Sequence, residues 1–453
     1  MSARSSLSLL LVILYVVAFA QCQSDAPLKN SKRTLVVLDT FDYKVSHSKF
    51  FQQLTKKGHK LTYKLAFDQD IVLSKYDDYH FDNLIIISSS KRSSFGGELK
   101  YASALSKFVD NNAGNVFVVA GSSGLSKPLR EFATENGVGF DDEGTSVIDH
   151  FNYDVNLDTS FRHTVVACNQ VSQLPSSRVI RDAQKFVTKP ILYSGLAISL
   201  DRHRNKLLLP ILTGSSTSYS FDADQSGTNA EPSIRGRNTV LVGALQARNG
   251  ARITFVGGSE VLSDKYFSSQ VQSTQSSSGN EDFSNELISW SFQDRCVIRH
   301  SNVSHHLVVP SAVDAPGYYK VGELMDYSVI FEEWDGDSRK WVPFVTDDVQ
   351  LELIMLHPYV RTDLKHVADG KYAARVKVPD TYGVFKLHVD YRRDGLSHLI
   401  FDDQITIRPT RIEEFERFVP AASPYYTIMF STMATFFVFS TLFLYTREKP
   451  KTD

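Results

Sequence analysis

The strongest candidate for chemistry in this 453-residue chain is the run Ala120-Gly121-Ser122-Ser123-Gly124. A serine at a strand-to-helix turn can attack a carbonyl if a base takes its proton and donors hold the oxyanion. The G-x-S-x-G frame of such a turn is absent, and the nearest downstream histidines, His150 and His163, have no spacing that sets either beside Ser122 or Ser123. A Gly/Ser turn capping the next helix accounts for the same residues. No phosphate cradle is legible: Gly137-Val138-Gly139 runs into Phe140-Asp141-Asp142, and the first strand leads into Asp39-Thr40-Phe41-Asp42 without glycine.

Cys296, His300, His305 and His306 are metal-ligating types, but they fit no zinc spacing and fall in a β-like segment. The pairs Asp141-Asp142, Asp347-Asp348 and Asp402-Asp403 could serve acid–base or calcium chemistry only if both carboxylates met one atom, and neighbours on a strand point to opposite faces. Asn302-Val303-Ser304 is the one N-x-S/T acceptor, which makes Asn302 a candidate glycosylation site. Cys22, Cys168 and Cys296 are too few for a disulfide scaffold. If signal cleavage falls after Cys22, Cys168 and Cys296 remain as a pair that a disulfide could join; if it falls after Ala20, Cys22 stays as an odd thiol.

The elements that must position these residues follow from hydrophobic period. Thr34 to Asp39, Lys60 to Leu65, Asn83 to Ser88 and Asn115 to Ala120 are predicted strands, and Ser46 to Lys57, Gly97 to Asn111 and Ser126 to Asn136 predicted helices. That alternation implies a doubly wound parallel sheet in an α/β domain over 30–265, with further strands at 165–167, 207–211, 239–244 and 252–257. Residues 266–284 are serine-rich and predicted to be an exposed loop. Over 285–420 the pattern turns to alternating β segments bounded by Gly, Pro and Asp, which implies a β-sandwich-like region.

The ends are addresses. Residues 1–22 combine Arg4, an uncharged run from Leu7 to Phe19 and the small-x-small ending Ala18-Phe19-Ala20, the pattern of a signal peptide into an oxidising compartment. From Tyr425 to Tyr445 no residue is charged, and as a helix this stretch reaches roughly 31 Å, the thickness of a hydrocarbon core. Arg447, Lys449 and Lys451 follow it, so the tail 446–453 is expected in the cytosol and the bulk of the chain in the lumen. Lys449 and Lys451, fifth and third from the end, resemble a dilysine signal for return to the endoplasmic reticulum. With 49 Lys+Arg against 51 Asp+Glu, 42% hydrophobic and 22% charged residues, the composition excludes a disordered chain or a polytopic bundle. A net charge of -2 supplies no basic field for nucleic acid.

Several segments in one order carry a family resemblance: Gly243-Ala244-Leu245-Gln246-Ala247-Arg248-Asn249, Phe255-Val256-Gly257-Gly258-Ser259, Trp290-Ser291-Phe292, Lys340-Trp341-Val342-Pro343-Phe344, Gly370-Lys371-Tyr372, Val378-Pro379-Asp380-Thr381-Tyr382-Gly383-Val384-Phe385, Val389-Asp390-Tyr391, and Tyr425-Tyr426 after Phe418-Val419-Pro420. The chain resembles the DDOST-type (Wbp-like) subunits of the oligosaccharyltransferase complex over essentially its whole length; Cys296 stands where that family leads one to expect glycine.

The resemblance implies a single-pass type I, non-catalytic subunit without a cofactor. That subunit supports transfer of an oligosaccharide from dolichyl diphosphate to Asn in N-x-S/T sequons. It implies as partners a polytopic catalytic subunit, ribophorin I- and II-type subunits, the defender-against-cell-death subunit and membrane lipid. It also implies an amidotransferase-like or flavodoxin-like sheet that has lost its nucleophile. The competing reading is a single-span serine hydrolase or amidotransferase-like enzyme using Ser122 or Ser123 with His150 or His163.

Overall fold

The computed structural model describes residues 32–446 except 77, 89–94, 122–123, 159–160, 223–230, 272–274, 309–312, 315–316 and 415–419. The signal segment with Cys22, the residues Ser122 and Ser123, and Lys449 and Lys451 lie outside the described residues.

Runs of β-branched residues buried on both faces form the centre of the first domain. Strands β1 (Arg33–Leu38), β2 (Lys60–Leu65), β3 (Asn83–Ser88), β4 (Asn115–Ala120), β5 (Val240–Gln246) and β6 (Arg252–Val256) lie in the order β2-β1-β3-β4-β6-β5. All neighbours are parallel until β5, which runs antiparallel to β6. Leu208–Thr213 and Ile198–Leu200 also pair antiparallel with β5.

Side-chain alternation decides which helix meets which face. Val36 and Leu38 pack with Phe50, Phe51 and Leu54 of α1 (Ser48–Lys56), while Leu35 and Val37 pack with Leu105 and Phe108 of α2 (Ala102–Asn112) and Leu129 and Phe132 of α3 (Lys127–Glu135). Helices therefore cover both faces of the sheet. Glycine is required where the loop 194–196 lies against the end of β6: a Cβ on Gly258 would come 2.0 Å from Ser194 O, and one on Gly257 2.3 Å from Leu196 O.

The expected loop over 266–284 is a correction. It holds the end of the helix Asp264–Phe267, a pair of two-residue strands at Gln270–Val271 and Ser276–Ser277, and the start of α4 (Asn280–Ser291). Helix α4 belongs to the α/β domain, with Phe283, Leu287 and Ile288 buried in the core that holds α1. Its apolar period is hidden because polar residues are buried with partners: Asn280 bonds Leu192 N and O at 2.8 Å each, and Ser291 Oγ meets Thr254 Oγ1 at 2.6 Å.

After α4 two sheets face each other. One contains β7 (Ile298–Leu307), β8 (Leu324–Asp335) and β10 (Lys371–Lys377); the other contains β9 (Gln350–Ile354), β11 (Gly383–Tyr391) and β12 (Leu399–Arg408). Tyr327, Val329, Phe331 and Tyr372 of the first share one core with Leu351, Leu353, Phe385, Leu387 and Ile405 of the second, the packing of a β-sandwich. That core is continuous with the α1 side of the α/β domain through Trp290, Phe292 and Ile298.

The chain then enters α5 (Ser423–Tyr445), the one helix among the described residues long and apolar enough to cross a bilayer. None of its residues is buried against the rest of the protein. Its threonine hydroxyls bond within the helix, as hydrocarbon would require: Thr427, Thr432, Thr435 and Thr441 each donate to the carbonyl four residues back at 2.8–2.9 Å.

Candidate functional site

The Gly121–Gly124 turn closes the C-terminal end of β4, where open α/β sheets bind ligands. Gly121 N donates to Ser88 O at 2.7 Å and Gly124 N to Gly121 O at 3.2 Å, so the turn folds back on itself. Gly124 has a φ of 108°, and a Cβ there would sit 2.9 Å from Glu143 Cγ. Ser126, at the cap position of α3, makes no side-chain cap bond.

The two histidines weighed as bases are engaged elsewhere. His150 Nδ1 and His163 Nδ1 approach to 2.5 Å, His150 Nε2 meets Tyr219 OH at 2.8 Å, and the His163 ring lies 4.0 Å from that of Tyr153. They form a surface cluster with tyrosines.

The organiser of that region is Asp149, which the sequence does not single out. Completely buried, it accepts from Phe151 N, Asn152 N and Nδ2, Thr217 Oγ1 at 2.9–3.1 Å and from Ser215 Oγ, and so pins the loop after it to the loop 215–217. Burial alone would raise its pKa; these donors hold it below the ordinary carboxylate range. Only the helpfulness of Asp in turns hinted at this role.

The cluster Cys296, His300, His305 and His306 is dispersed. The His300 ring stacks on Phe401 at 4.0 Å, His305 Nδ1 meets Tyr319 OH at 2.7 Å, and His306 Nε2 lies 3.8 Å from Asp326. Cys296 is buried with its thiol toward Arg178 O at 3.4 Å. No group of three or more His, Cys, Asp or Glu converges as metal ligands among the described residues.

Of the acidic pairs only Asp402-Asp403 lies on a strand, and its two carboxylates part to different partners. Asp402 meets His388 at 2.5 Å and Lys386 at 3.2 Å, whereas Asp403 lies 3.6 Å from His305. Asp348 is held by Arg393 Nε at 2.5 Å and Tyr391 OH at 2.9 Å. Burial opposes its ionisation, yet these bonds and one from Thr346 bring its pKa down to about 2. Asp141 accepts from Ser233 Oγ at 2.6 Å.

A Cys168–Cys296 disulfide is not formed: both are separate buried thiols. Cys168 sits in the strand Val166–Cys168, and burial, with Asp149 adding to it, pushes its pKa up to about 12. Cys296 lies in the knot joining the two regions. There Arg252, wholly buried, donates to Trp290 O at 2.5 Å, Arg295 O at 2.8 Å and Cys296 O at 2.7 Å, with its guanidinium 4.8 Å from the Trp290 ring. Trp290 Nε1 in turn donates to Gly395 O at 2.8 Å, between β11 and β12. A groove of about 450 Å³ opens at the same seam, lined by Ser176, Arg178, Leu209, Arg392, Arg393 and Asp394. Its arginines 392 and 393 are balanced by Asp390 and Asp348.

Fold and site together define a class: an α/β domain welded to a β-sandwich and followed by one membrane-length helix, whose polar side chains mainly hold the structure together. The family models for the OST48 N-terminal domain and the OST48 middle domain match residues 25–294 and 305–447, and the chain belongs to the OST48 family.

Similar proteins named "Dolichyl-diphosphooligosaccharide--protein glycosyltransferase 48 kDa subunit" include one from Danio rerio, 42% identical over 427 residues, covering 93% of each chain. Those from Drosophila melanogaster and Caenorhabditis elegans are 38% and 37% identical, each over 97% of this chain and 96% of the relative. A solved ThuA-like protein from Parabacteroides merdae superposes with a TM-score of 0.29 at 13% identity, over 58% of this chain and 90% of that one, too loosely to define the fold.

Proposed function

We propose that this chain is a non-catalytic subunit of a dolichyl-diphosphooligosaccharide–protein glycosyltransferase, supporting en bloc transfer of oligosaccharide to Asn in N-x-S/T sequons. The observation that carries the reading is identity of 37–42% to subunits of that name, spread over 93–97% of the chain rather than confined to one domain. The engagement of His150 and His163 with each other and with tyrosines supports a scaffold over a hydrolase.

In this reading residues 1–22 are a signal peptide, residues 23 to about 424 face the lumen of the endoplasmic reticulum, and α5 spans its membrane. Lys449 and Lys451 return the protein to that compartment. The α/β domain is an amidotransferase-like or flavodoxin-like sheet that packs against other subunits. Those partners are a polytopic catalytic subunit, which holds the reactive groups, together with ribophorin I- and II-type and defender-against-cell-death subunits.

Extraction in a mild detergent should recover the chain in an assembly several times its own mass, and depletion should leave sequons unoccupied on many secreted proteins. Recovery as a monomer, with normal occupancy after depletion, would overturn the proposal.

A further inference from the structure

The sequon Asn302-Val303-Ser304 lies inside a strand of the sandwich, where an asparagine is ordinarily aimed either at the core or along a paired surface. The pairing of β7 with β8 is interrupted there. Ser301 is opposite Ile330 and Ser304 opposite Ser328, so Asn302 and Val303 together face the single residue Val329. This is a β-bulge, and Asn302 takes up the extra residue in the left-handed region, with φ of 49°. Asparagine is among the few non-glycine residues that tolerate that conformation.

The bulge reverses the alternation of β7. Before it, the even residues point inward: Ile298 is buried and His300 stacks on Phe401 of the opposite sheet. After it, the odd residues do: Val303 and Leu307 pack on the core and His305 bonds Tyr319. In an unbroken strand Asn302 would follow Ile298 and His300 into the sandwich. The extra residue turns it outward, and both Asn302 and Ser304 are exposed on the outer face. The outer edge of β7 is also open at this point among the described residues, because the short strand Val313–Asp314 pairs only with Leu307 and His306.

We infer that Asn302 carries an N-linked glycan, that the bulge is the device by which the finished sandwich accommodates it, and that the sugar stands over an unpaired strand edge. An open edge invites pairing with another chain, and a bulky solvated group beside it discourages that. This inference rests on the lumenal orientation proposed above. In the reaction, Asn302 Nδ2 forms a bond to the anomeric carbon of an oligosaccharide linked to a lipid diphosphate. The bond from that carbon to the diphosphate oxygen breaks, the lipid diphosphate leaves with the bonding electrons, and the amide gives up one proton to a base of the transferase.

The test uses the full chain expressed in eukaryotic cells. Peptide N-glycosidase should increase its gel mobility by one step and convert Asn302 to Asp in the recovered peptide. Asn302→Gln and Ser304→Ala should abolish the step and Ser304→Thr should retain it; the two Ser304 variants keep Asn302 in its bulge. An unmodified Asn302 peptide from a chain protected against protease in sealed microsomes would overturn the glycan while leaving the lumenal reading intact. Digestion of the bulk of the chain in those microsomes would overturn both.

Discussion

His59 illustrates how a single buried group ties this fold to pH. It is 4% exposed, with Nδ1 2.9 Å from Thr34 Oγ1, its ring edge-on to Phe292, and its Nε2 without a hydrogen-bond partner. Burial first, then the charges of Lys32 and Lys57, lower its pKa from 6.5 to about 3. The unfolded chain therefore binds a proton between those values that the folded chain refuses, and stability falls as pH drops below 6.5 until about pH 3. One such proton contributes a slope of up to about 1.4 kcal/mol per pH unit. Urea unfolding of the full chain in detergent at pH 7 and pH 5 should show that loss, and His59→Phe should remove most of this group's share. An unchanged slope in the variant would count against this account. Nothing in the local sequence around His59 announces it, because its neighbours Thr34 and Phe292 are distant in the chain.

Among elements, the strands β1, β3 and β4 were legible because two-faced burial writes itself as continuous apolar, β-branched-rich runs, while the edge strand β2 shows only an alternating pattern; β2, β3 and β4 begin and end where the sequence places them. Helix α4 was not: its buried face includes Asn280, Ser284, Ser289 and Ser291, so no apolar stripe marks it. Helix α5 is the opposite case, apolar all round and unpacked. If it spans a membrane, an Ala434→Arg, Phe437→Arg double variant places two charges near its middle, each costing about 2.5–3.5 kcal/mol on insertion. The wild-type chain should resist alkaline carbonate extraction and the double variant should be released. Retention of both in the membrane pellet would argue that another segment anchors the protein.

For the whole molecule the decisive feature is the shared core. Apolar packing runs from Phe50 in the α/β domain through Trp290 to Val329 and Leu387 in the sandwich, and Arg252 and Trp290 stitch the seam with buried hydrogen bonds. The lumen-expected body should therefore unfold in one calorimetric transition. Trp290→Ala should lower stability by about 3–5 kcal/mol, through the cavity left at the seam. Two well-separated transitions in the wild-type chain would show that the two regions are energetically independent.

Local pattern was sufficient for the alternation of strands and helices in β1 to β4, the β segments that follow α4, the membrane-length helix and the sequon, since each depends on residues near one another in the chain. Tertiary structure alone decided the rest. It buried Asp149 and Arg252 with partners more than a dozen residues away, kept Cys168 and Cys296 as separate thiols, and turned Asn302 outward through one unpaired residue. Partner choice and strand register are set by packing across the fold, and a linear pattern holds no measure of either.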